Sequence, residues 1–189
     1  MALGMLCVLA AGGCLDNDLP ENAESGGSAD TFIALPRDFC DFREWMPFRL
    51  RDVDMHAGAT GPLVVYLKEL PPMGAVEFPV GTMIVKTVEI GDPKEWEVHA
   101  MVKRGGMFNS RGAIGWEFFD LGIDDDCTPA IHWRGEKAPR DHGYKSLPGL
   151  MSDDASTMMD ADCNSCHGKA DARENDAVLS APLQLKDLS

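Results

Sequence analysis

Between positions 63 and 121 the apolar residues fall into short runs separated by turn residues, which predicts strands. Leu63-Val-Val-Tyr-Leu67 is continuously apolar after Gly61-Pro62, as a strand buried on both faces requires. Phe78-Pro-Val-Gly81 reads as a turn into Thr82 to Ile90, a stretch rich in β-branched residues. Gly91-Asp-Pro93 turns the chain again. Trp96 to Lys103 alternates: Trp96, Val98, Ala100 and Val102 share one face, and His99 falls on the polar, exposed one. Gly105-Gly106 breaks this run, and Trp116 to Leu121 supplies a fourth strand. Four strands joined by short connections predict an antiparallel meander. Upstream, Asp38 is placed to cap a helix carrying Phe39, Phe42 and Met46, which Pro47 stops. Downstream, Asp124 to Lys145 reads as a polar loop or insertion holding His132, Trp133, Arg134 and His142. Ser152 to Asp162 reads as a short helix. The expected fold class is α+β, an antiparallel meander with flanking helices.

The N-terminal part is patterned differently. Residues 1–14 are apolar and end in Ala11-Gly12-Gly13-Cys14, as in an export signal with a lipoprotein processing site. Cys14 would be the lipidated residue, although no Lys or Arg precedes the apolar run. Residues 15–34 are mostly Asp, Asn, Glu, Ser and Gly, too polar to offset their ordering entropy, and read as an acidic tether. Residues 35–189 form the folded domain. The expected location is periplasmic or otherwise extracytoplasmic, with membrane contact only through the lipid.

Composition narrows the partners. The formal net charge of −14 argues against nucleic acid, which needs a basic footprint, and against a polybasic membrane surface. It suits a redox partner protein with a basic docking face.

The six cysteines carry the chemistry. Cys163-Asn164-Ser165-Cys166-His167 is the haem c attachment pattern: two thiols spaced for the porphyrin vinyl groups, and a histidine beneath the ring to bind iron. A thioredoxin-like redox pair would need a βαβ context, and a zinc site would need two more closely spaced ligands. Cys40 and Cys127 are left as one candidate disulfide, or as two small buried residues.

Lys86 sits at the centre of an otherwise apolar strand face, with Thr82, Ile84, Val88 and Ile90. Either it reaches outward to water, or it points at a cofactor with a lowered pKa and a nucleophilic amine. Phe42-Arg-Glu-Trp45, Phe78-Pro-Val-Gly-Thr-Met-Ile-Val-Lys86, Met101-Val-Lys-Arg-Gly105, Gly115-Trp-Glu-Phe-Phe119 and the C-terminal Cys163-Asn-Ser-Cys-His167 follow one another in the chain. In these pieces the chain resembles the cytochrome P-460 family of small c-type cytochromes, over about Leu35 to Leu183. The resemblance implies an antiparallel sheet with flanking helices, often a homodimer, and His167 as the only protein ligand to iron. It also implies that Lys86 matches a lysine that can be joined covalently to the porphyrin edge.

One branch of that family oxidises hydroxylamine. The other, cytochrome c-prime-beta, binds nitric oxide in an apolar pocket. The distal pocket decides between them, and its candidates here are Met158, Phe118 and Glu117. The alternative is a simple electron-transfer cytochrome with His/Met ligation, for which Met101, Met107, Met151, Met158 and Met159 are the candidate ligands.

Overall fold

The computed structural model describes residues 31–50, 62–124, 128–138 and 163–188. Residues 1–30, with Cys14, lie outside that set, as do His56, Cys127, His142, Met151, Met158, Met159 and the expected helix Ser152 to Asp162.

Six strands make one antiparallel sheet: β1 (Met46–Arg49), β2 (Leu63–Leu67), β3 (Met83–Val88), β4 (Glu97–Lys103), β5 (Trp116–Ile123) and β6 (Pro129–Gly135). Each strand pairs with its neighbours in the chain, so the order is β1-β2-β3-β4-β5-β6. The four strands read from hydrophobic patterning are β2 to β5. The protein is mostly β, with short 3-10 turns and one α-helical turn, Cys163–His167, among the described residues.

Three expectations are corrected. The Phe39/Phe42/Met46 spacing belongs to two 3-10 turns, Pro36–Phe39 and Phe42–Glu44, and not to an α-helix. Asp38 does not cap from in front: its carboxylate accepts from Leu35 N at 2.7 Å, behind it. Asp41 lies between the turns at φ 59°, which breaks any continuous helix. Met46 and Pro47 then lie in edge strand β1, where a residue without an N–H is tolerated. Finally, the stretch read as a polar insertion contains β6. A register shift opposite Asp120 and Leu121 leaves His132 as the extra residue of a bulge, which hides the alternation.

Both faces of the sheet are covered. On one, Val64, Tyr66, Met83, Val85, Val98, Ala100, Val102, Phe119 and Leu121 pack under Ala34, Phe39 and Phe42. Phe39 meets Phe119 edge-on at 5.2 Å between centroids, and Phe42 meets Tyr66 at 5.5 Å. Phe32, which falls within the expected tether, packs here, and its N–H donates to Arg104 O at 2.9 Å. On the opposite face, Val65, Leu67, Ile84, Met101, Trp116 and Phe118 are covered by Phe78 and by Ala177, Val178, Leu183 and Leu185 from the C-terminal segment. Cys40 is disulfide-bonded, and Cys163 and Cys166 are not.

Candidate functional site

Strand register places Lys86 on the face covered by the C-terminal segment. It pairs with Val65 on β2 and His99 on β4, and His99 in turn pairs with Asp120 on β5. The next row on that face is Ile84, Met101 and Phe118. His99 was expected on an exposed polar face. Its side chain is only 16% exposed, because that face is covered too, and its Nε2 lies 2.9 Å from Glu97 Oε1.

The Cys163–His167 turn docks on the same face. Its anchor is Asn164, one of the two spacer residues that the attachment pattern leaves unspecified. The Asn164 amide exchanges hydrogen bonds with the Asn109 amide at 2.9 and 3.0 Å, accepts from Ala113 N at 3.0 Å and donates to Glu136 O at 3.0 Å. The fit is close: a Cβ added at Gly112 would collide with the Asn164 side chain. Spacing alone gives no hint of this clamp; only the backbone path of residues 109–113 reveals it.

His167 is held from two sides. Its ring lies 5.4 Å from that of Phe118, and its Nδ1 is 2.7 Å from the Ala177 carbonyl. A carbonyl only accepts, so Nδ1 carries the proton and Nε2 keeps its lone pair. Nε2 takes no hydrogen bond among the described residues. Burial lowers the pKa of the imidazole, the Ala177 bond works against that, and the Lys86 charge adds to it. The amine of Lys86 is lowered to about 8, chiefly by burial, with Glu97 and Cys166 acting the other way. Lys86 therefore stands close enough to both Cys166 and His167 to interact with them electrostatically.

The other candidates separate. Phe118 touches the site. Glu117 lies on the opposite face of β5, where it accepts from Arg134 Nε and Nη2 at 2.7 Å each and from Arg104 Nη1 at 3.3 Å. Its carboxylate is spent there and faces away from His167. Met101 is buried on the site face, whereas Met107 is exposed in a loop. Trp116 Nε1, also on the site face, is a buried donor with no acceptor among the described residues. A cavity of about 400 Å³ lies behind Ala177, between Lys103, Gly115, Arg173 and Asp176, and not beside Lys86.

The arrangement fits the group that the attachment pattern implies. Two cysteines outside any disulfide stand next to a histidine whose tautomer leaves Nε2 as a ligand, as a metal-binding histidine with a carbonyl partner does. The apolar residues around it suit a macrocycle. No protein-family model, curated protein or solved structure matches the chain.

Proposed function

We propose that this chain is a monohaem c-type cytochrome of the P-460 type that acts on small nitrogen species, by oxidising hydroxylamine or binding nitric oxide. The observation that carries this reading is the docking of the Cys163–His167 turn on the sheet face that bears Lys86, with His167 packed on Phe118, its Nδ1 held by Ala177 and its Nε2 left to bind a metal. Cys163 and Cys166 would hold the haem through thioethers formed by addition of their S–H groups across its vinyl groups, and His167 would hold its iron. Bound haem supplies an iron centre that exchanges electrons with a nitrogen ligand. The protein's part is positional. Ala177 fixes the imidazole, Phe118 packs against it, and Lys86 presents an amine with a substantial neutral fraction at mildly alkaline pH. By the resemblance, that amine would be the group joined to the macrocycle edge, in an oxidative coupling that would replace a ring hydrogen and pass its electrons to an external acceptor. Export and a lipid at Cys14 belong to the same reading, and the disulfide at Cys40 suits an oxidising compartment.

A haem-mass adduct on the denatured chain, together with a red-shifted ferrous Soret band that Lys86→Ala abolishes, is the expected result. An ordinary c-type spectrum, the same in the variant, would refute the cross-link. A chain without covalent haem would refute the whole reading. A second reading, electron transfer with His/Met ligation, rests on Met101, which is buried on the same face as Phe118. A thioether–iron charge-transfer band that Met101→Leu removes would establish it.

A further inference from the structure

We propose that the Lys103–Asp176 ion pair is the positioning device for His167. It holds Asp176 and Ala177 in a left-handed turn, and the carbonyl of that turn fixes the imidazole.

Asp176 and Ala177 have φ angles of 50° and 67°, two consecutive non-glycine residues in the left-handed region. Such a pair persists only where its surroundings over-determine it. Here they do. Asp176 Oδ1 accepts from Lys103 Nζ at 2.6 Å, and Oδ2 accepts from Phe78 N at 2.9 Å. Ala177 N donates to Ala172 O at 2.7 Å. Just before the turn, the Asn175 amide donates to Val178 O at 2.7 Å and Leu183 O at 2.9 Å, and accepts from Leu185 N at 2.8 Å. The Ala177 carbonyl, pinned in this way, receives the His167 Nδ1 proton.

Lys103 is guided to its partner. Its side chain is 8% exposed, runs past Gly115, lies over the Trp116 ring at 5.2 Å and donates to Ile114 O at 3.3 Å. A Cβ at Gly115 would stand 3.2 Å from Lys103 Cε, so glycine keeps that path open. A buried ion pair adds little net stability, because desolvation offsets its attraction, but breaking it leaves one charge stranded. Its contribution here is geometric. Control of the tautomer does not depend on haem; control of the iron's axial ligand rests on the proposed function.

The full chain is examined by long-range proton–nitrogen NMR, as its diamagnetic ferrous carbonyl form, or metal-free if no haem is attached. The wild type should show one Nδ1–H tautomer of His167 with slow proton exchange. Asp176→Asn and Lys103→Met should exchange that proton at least tenfold faster, and in metal-free protein they should also populate the second tautomer. In haem-loaded protein both should raise the reduction potential, because the imidazole loses electron density with its acceptor. Tyr66→Phe, on the opposite face, should leave the tautomer and exchange as in the wild type. Unchanged exchange in folded Asp176→Asn, or an equal change in Tyr66→Phe, overturns the proposal. If Lys103→Met does not fold, Asp176→Asn decides alone, since asparagine tolerates the left-handed region and still accepts from Phe78 N. Absence of covalent haem refutes the proposed function, while the exchange comparison still decides this inference.

Discussion

On one face of the sheet Phe39, Phe42, Tyr66 and Phe119 interlock edge to face, and the main buried charge, Glu117, is matched by two arginines. On the other, Lys86, His99 and Asp120 stand in one row across three adjacent strands, beneath a C-terminal segment that carries the partner of His167. Both faces are made by the same strands with alternating side chains. The first satisfies its polar groups internally. The second gathers thiols, an amine and an imidazole on an apolar ground. A covered face that gathers chemically varied polar residues is thus the one on which the proposed site falls.

Breaking the aromatic face should cost most. Phe119→Ala should destabilise the fold by about 3–5 kcal/mol in urea unfolding, with no change in His167 signals or in any haem spectrum. A spectral change would show that the two faces are not independent. Glu117→Ala should cost about 2 kcal/mol, less than a fully buried pair, because Arg104 and Arg134 are partly exposed. If ligand binding fell while stability held, Glu117 would belong to the site after all.

In the haem-free chain, where its amine is unlinked, Lys86 tests the other face through pH. Its folded pKa of about 8 lies below the unfolded 10.5, so between these values the unfolded chain binds more protons. Stability from this source therefore rises from pH 8 toward 10.5, on the order of 3 kcal/mol in all. Urea midpoints of Lys86→Met should lack that rise. Tyr66 provides the opposite sign on the aromatic face. Its hydroxyl is pushed up to about 12, by burial first and then by its bond to Glu89 Oε1 at 2.7 Å. The stability it contributes is present below pH 10 and lost as pH climbs toward 12. Tyr66→Phe should cost about 1 kcal/mol at neutral pH, and the deficit should close by pH 12.

Much of this was legible in the sequence where side-chain period and burial agree. Strands β2 to β5 were visible because β-branched and aromatic residues alternate or run between glycine and proline turns. Lys86 was visible as one charge on an apolar face. Strand β1 was hidden by Pro47, and β6 by the bulge at His132. The Phe39/Phe42 spacing satisfied a helical template that two 3-10 turns satisfy equally well. His99 is expected on an exposed face because its neighbours Glu97 and Lys103 are charged; nothing local in the sequence warns that Glu97 and His99 are only 15% and 16% exposed. The Asn164 clamp and the Lys103–Asp176 pair join residues 55 and 73 positions apart, beyond the reach of any local pattern.

The neighbour-to-neighbour strand order has a consequence in time. Every sheet pairing can form as soon as the next hairpin is made, whereas the support of His167 needs the chain's last residues to find Phe78, 98 positions earlier. Loop closure of that length is slow relative to hairpins. The scaffold should therefore mature before the site does. In pulse-labelled refolding, strand amides such as Val85 should gain protection ahead of Val178 and Leu185, leaving an interval in which both thiols stand open to modification on a finished sheet.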